Sequence, residues 1–254
     1  MRFSRKLGAF ASVGLLIVLF VYTLNQNAAP TDKIVVAVFQ GEGAGDYENL
    51  ELMFRRLNCT VTVVYAQQIN DGRLDGFNIL CFPGGDMYMY SQEFTSTGIE
   101  NMRDFVRNGG AYFGVFGGAY FSSERVVWQG HQLDMTPLGL FPGIALGPIE
   151  EISPVWTPTD ATVNIVDSTH PITQNEPSSR KMYYNSGPMF LPNEDANVTV
   201  LGRYDIGNQP VIVAFEYGNG RAFIIGTHPE ASSRSTWGLI GNAVLWLTEN
   251  QTSN

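Results

Sequence analysis

Three short segments of this 254-residue chain hold the residue types that acyl chemistry needs. The first is Gly114-Val115-Phe116-Gly117-Gly118, small residues around a central position at a strand-to-helix junction. In an elbow of that kind the central side chain sits on a strained turn and projects at the helix N-terminus, where a nucleophile would stand. The second is Pro83-Gly84-Gly85-Asp86, whose backbone N–H groups could form half of an oxyanion hole. The third is Thr227-His228-Pro229-Glu230, a base with a carboxylate that could orient it. Singly, each has an ordinary reading: a tight Gly-Gly turn, or a strand-end turn with a solvated glutamate. Their order and spacing in one chain make the combination more specific.

Positioning such groups requires strands that end at them. Residues 34–39 (IVVAVF) are a continuous β-branched run, which predicts a strand buried on both faces. A Gly-rich loop follows at 41–46, then an amphipathic helix over 47–57 with Leu50, Met53, Phe54 and Leu57 on one side. Residues 60–65, 77–82 and 111–115 read as further strands, and 99–106 as a helix ended by Gly109-Gly110. This alternation predicts an α/β fold, doubly wound around a mainly parallel sheet, with the site at the carboxyl ends of the strands. The second half reads as β-rich additions. Residues 125–160 look irregular and rich in Pro and Gly, while 161–166, 198–204, 211–217 and 221–225 look like strands. Tyr217-Gly218-Asn219-Gly220 predicts a type I′ hairpin turn, and 236–247 a closing helix. No internal repeat is visible, and residues 34–254 read as one domain.

Composition excludes several classes. Charged residues are 15% and aromatic residues 12%, the opposite of a disordered chain. The net charge is −9, and the part beyond residue 6 is more acidic still, since residues 1–6 carry Arg2, Arg5 and Lys6 and no acid. Such a surface repels phosphate backbones, so nucleic acid is not an expected partner. Two cysteines exclude a disulfide scaffold. The three histidines, His131, His170 and His228, show no His-x-x-x-His spacing, so neither a metal nor a cofactor is expected. Residues 7–24 are uncharged and predominantly apolar, nearly long enough for a hydrocarbon core of about 30 Å. With the basic stub before them they predict an uncleaved signal anchor in the cell membrane, residues 25–33 as linker, and a domain outside the cytoplasm. A cleaved signal peptide is the competing reading. Asn58, Asn197 and Asn250 each begin an Asn-x-Thr sequon.

The motif set resembles the class I glutamine amidotransferase-like superfamily, and most nearly the family named for the N-terminal domain of biotin-protein ligase. The resemblance covers about residues 34–247. It rests on Phe39-Gln40-Gly41-Glu42-Gly43, on the Pro83–Asp86 turn, and on Gly114 to Tyr120 in place of Gly-x-Cys-x-Gly-Ala-Tyr. Tyr183-Tyr184-Asn185-Ser186-Gly187-Pro188 and His228-Pro229-Glu230 complete it. It implies a flavodoxin-like fold, oxyanion-hole N–H groups on Gly85 and Gly117, His228 as base and Glu230 as its partner. It also implies ligand contacts from Gly41, Gly43, Gly84, Asp86, Gly118, Tyr120, Tyr184 and Asn185. Biotin ligation is not implied, because the name comes from a domain joined to the ligase.

One departure decides the expected function. The family's nucleophilic cysteine falls on Phe116, and a phenyl ring cannot attack a carbonyl. Cys81 reads as a core thiol. Cys59 opens the second strand, and the first strand should separate the two cysteines, so no disulfide is expected between them. Ser122 and Ser123, expected one to two turns into the helix after the elbow, leave Ser122 as a fallback nucleophile. His170 reads as structural, and the four tryptophans as core or loop anchors. The expectation is a membrane-anchored domain that binds a small amide, a carboxylate or a protein partner without catalysis. A hydrolase using His228–Glu230 with Ser122 or water, and a scaffold at the membrane, are the alternatives.

Overall fold

The computed structural model describes residues 33–45, 47–249 and 251. The expected anchor at 7–24, most of the expected linker and the Asn250 sequon lie outside the described residues. No helix among the described residues is long and apolar enough to cross a membrane.

Five strands form a parallel array. β1 (Val35–Phe39) lies between β2 (Thr60–Val64) and β3 (Ile79–Phe82), followed outward by β4 (Ala111–Val115) and β13 (Gly220–Ile225). Every residue of β3 and β4 is buried, as their unbroken apolar runs require. Side chains alternate across this sheet. Phe113 meets Phe54 of α1 (Tyr47–Arg56) on one face. Phe82 and Tyr112 stack on the other face, where α3 (Met87–Glu93) and α5 (Gly117–Phe121) supply Tyr90 and Phe121. α2 (Ala66–Asn70) and α4 (Ser96–Arg107) complete the connections, and α6 (Trp237–Thr248) packs on β13 and β4. Thr95 caps α4, its hydroxyl accepting from Gly98 N–H at 3.0 Å. The described residues from Ile34 onward form one compact unit.

The sheet is parallel over only half its width. Beyond β13 the order continues β12 (Pro210–Tyr217), β11 (Val198–Tyr204), β8 (Thr159–Ile165) and β9 (Ser179–Tyr184), all antiparallel. The expected mainly parallel sheet is corrected to that extent. Residues 125–160 are also more regular than expected. β5 (Ser123–Trp128), β6 (His131–Gln132) and β7 (Phe141–Gly147) join β10 (Met189–Pro192) in a separate four-stranded sheet. β7 alternates buried and half-buried residues through Pro142 and Gly143. The hairpin turn after β12 holds Gly218 at φ 62°, and Asn219 is not left-handed, so the turn is of the II′ kind rather than I′. Cys59 and Cys81 are free and buried, separated by β1 as expected.

His170 fills a structural place. Its Nδ1 accepts from Ile172 N–H at 3.2 Å, and its ring lies 5.2 Å from that of Trp246. Burial, with Arg221 adding to it, lowers its pKa against the pull of Asp167. The unfolded chain therefore takes up the proton more readily. The stability this residue contributes is complete above about pH 6.5 and declines as pH falls below it. Urea unfolding between pH 5 and 8 should show that decline. In His170→Asn, whose side-chain oxygen can replace Nδ1 as acceptor, the decline should be shallower.

Candidate functional site

β1 sends its neighbours to opposite sides, β2 to one and β3 to the other, and crevices form outside the carboxyl ends at such a switch point. The loops after β1, β3, β4 and β13 meet there. Gly45 N–H donates to Gly84 O at 2.8 Å and Asp86 N–H to Gly43 O at 2.8 Å, tying the first loop to the second. Gly118 N–H donates to Pro83 O at 3.0 Å, tying the second to the elbow.

Phe116 occupies the elbow at φ 45° and ψ −101°. A bulky residue at positive φ is a genuine outlier, and such strain costs about 1–3 kcal/mol. The surroundings enforce it. Phe116 N–H donates to Ile225 O at 3.0 Å, and its carbonyl accepts from Tyr120 N–H at 2.9 Å. A Cβ on Gly117 would lie 2.2 Å from Gly85 O and 2.7 Å from Gly85 N, so only glycine lets these two backbones approach. Gly85 has φ 147° as well. The N–H groups of Gly85 and Gly117 donate to no acceptor among the described residues. Neighbouring and unpartnered, they have the attributes of an oxyanion hole.

His228 and Glu230, the expected base and partner, lie together. His228 Nδ1 lies 2.7 Å from Glu230 Oε1, with the side chains 5% and 0% exposed. A hydrogen bond from Nδ1 to the carboxylate turns Nε2 away from Glu230. Nε2 is buried and has no partner among the described residues, as is Glu230 Oε2. The imidazole is seated by glycine: a Cβ on Gly84 would come within 2.7 Å of its Cε1. His228 N–H donates to Tyr183 O at 2.9 Å, an isolated bridge that brings the end of β9 to the dyad. The Phe116 ring lies 4.9 Å from the imidazole, tilted 39°, and is only 4% exposed. The phenyl group packs on the base.

Other expected contacts serve the scaffold. Asp86 caps α3, accepting from Tyr88 and Met89 N–H at 2.9 and 3.2 Å. Gly41 abuts the Glu93 carboxylate, whose pKa burial raises against the N–H groups of Gly43 and Glu42. Tyr120 and Tyr184 are fully buried. The Tyr120 hydroxyl donates to Ser186 O, and the Tyr184 hydroxyl accepts from Ile149 N–H. Asn185 has a buried Oδ1 without a partner among the described residues. Ser122 is corrected: α5 ends at Phe121, and Ser122 is fully buried with its hydroxyl donating to Ala119 O at 2.8 Å. Ser123 opens β5 rather than continuing the helix. Tyr183 and Trp156, which no local pattern singled out as site residues, flank His228 and Phe116 at ring distances of 5.6 and 6.4 Å. Among the described residues no group of three or more His, Cys, Asp or Glu could hold a metal.

The fold has known counterparts. A chain of PurLQS from Thermotoga maritima superposes with a TM-score of 0.63 at 16% identity, covering 85% of this chain and 99% of that one. A thua-like protein from Bacteroides uniformis gives 0.62 at 17% identity, covering 87% and 94%. These likenesses show a shared fold. The biotin–protein ligase of Schizosaccharomyces pombe is 30% identical over an alignment of 223 positions, which covers 79% of this chain and 34% of the ligase. The chain thus spans about a third of that relative's length. The family described as "Biotin-protein ligase, N terminal" matches residues 35–239, strained elbow and His228–Glu230 pair included, and the chain belongs to that family.

Proposed function

We propose that this domain binds a small amide or carboxylate between the elbow, the Gly84-Gly85 turn and the His228–Glu230 pair, and does not hydrolyse it. The observation that carries the reading is Phe116. It holds the strained elbow position where a nucleophile would stand, and its ring rests on the imidazole that would activate one. The unpartnered N–H groups of Gly85 and Gly117 support binding, since a carbonyl or carboxylate oxygen satisfies both. Residues 7–24 support a second part of the proposal, that the chain is anchored in the cell membrane with the domain outside the cytoplasm.

Ammonia release from glutamine tests the first part. The native chain should release none, and Phe116→Cys should release it in a His228-dependent manner. Removing a buried phenyl group costs about 3–5 kcal/mol, so circular dichroism must first show that the variant is folded. Release by the native chain that disappears in His228→Ala would overturn the reading.

A further inference from the structure

We infer that the ligand of this crevice is an aromatic carboxamide, its ring lying on the indole of Trp156. The inference rests on the amide-binding reading and adds the ligand's second half.

Trp156 is 60% exposed, yet it is held rather than free. Its backbone sits at φ 59°, a conformation that bulky residues rarely adopt. Its N–H donates at 2.8 Å to the hydroxyl of Ser186, which is itself at φ 64° and 1% exposed. The carbonyl of Ser186 accepts from the Tyr120 hydroxyl at 3.1 Å, so the anchor is rooted in the helix of the elbow. The indole stands edge-on to Phe116 at 6.4 Å and lies 5.3 Å from Trp128 at 37°. Aromatic surface therefore runs from the elbow outward to solvent. An apolar ring fixed in water by a strained backbone carries a hydration penalty that a flat ligand removes.

The polar end agrees in sign with a carboxamide. Gly85 and Gly117 offer donors to its oxygen. Asn185, adjacent to the Ser186 anchor, has a buried Oδ1 without a partner among the described residues, and it can accept from the amide N–H. A carboxylate would satisfy the donors and leave that acceptor unpaired.

Benzamide and acetamide, titrated into the full chain and followed by ligand-observed NMR, separate the two halves of the argument. Benzamide should bind about two- to twelvefold more tightly, the range expected for one aromatic stacking contact. Trp156→Ala should erase that advantage, and Trp156→Phe should restore most of it while reporting that the loop is intact. Equal binding of the two amides, or an advantage that survives in Trp156→Ala, would overturn the aromatic contact and leave the amide-binding reading standing. Binding of neither would overturn both.

Discussion

Replacing His228 with alanine is expected to lower the stability of the domain by about 3–5 kcal/mol, the usual consequence of removing one partner from a buried polar pair. Glu230 has a fully buried side chain, and its Oε1 has the imidazole Nδ1 as partner at 2.7 Å. Its Oε2 already lacks a partner among the described residues, so the alanine variant would leave the whole carboxylate buried and unsatisfied. The ring of Phe116 would also lose the imidazole it packs on. A domain of this kind has about 5–15 kcal/mol in all, so the loss should be plain in urea unfolding. Glu230→Ala, which orphans only a neutral N–H, should cost about 1–3 kcal/mol. The double variant should cost less than the two singles together, because each single includes the penalty of the stranded partner. A His228→Ala variant within about 0.5 kcal/mol of the native chain would contradict this, that being the margin for substitutions away from such features. The size of the effect bears on function too. Any loss of activity in His228→Ala has to be read against the folded fraction.

The buried pair shows how far the chain could be read without coordinates. The parallel half of the sheet was legible, because β1, β3 and β4 are short apolar runs of strand length followed by glycine-rich breaks. The dyad and the elbow were legible as motifs. What local pattern does not carry is where long-range backbone pairing decides. β7 contains Pro142 and Gly143 and still pairs on both sides, with β5 and with β10. β9 and β10 are short, and most of their residues are exposed or half-buried, so no period emerges. α3 has Met87, Tyr88, Met89 and Tyr90 in succession, with no apolar stripe, and depends on the Asp86 cap. The end of α5 was misplaced because Ser122 continues its hydrogen bonding by one residue while Ser123 already belongs to β5. Trp156 was invisible as a site residue. Its position follows from a positive φ and from a hydrogen bond to a serine thirty residues away.

The elbow itself yields the other large effect, and it turns on space rather than on charge. Gly118→Ala should destabilise the domain by about 3 kcal/mol or more, the upper part of the range for overpacking. Its φ is unexceptional, but an added Cβ would lie 2.3 Å from Phe82 O and 2.6 Å from Phe82 Cβ. Both neighbours belong to β3, and Phe82 is fully buried among Phe39, Tyr90, Tyr112 and Phe121, so neither can yield without moving the strand. Gly118 N–H also donates to Pro83 O, so any shift opens the tie between the elbow and the Pro83–Asp86 turn. Gly76→Ala is the matched comparison. Gly76 has φ 81°, yet an added Cβ there meets nothing within 4 Å. It should cost only the left-handed strain, about 1–2 kcal/mol. Thermal unfolding of the two variants separates the causes. If Gly118→Ala falls no further than Gly76→Ala, the close approach of elbow and β3 is not what holds Phe116 in its strained conformation. If it falls well below, the packing of glycine against strand is the force that keeps the elbow bent although Phe116 supplies no reacting atom.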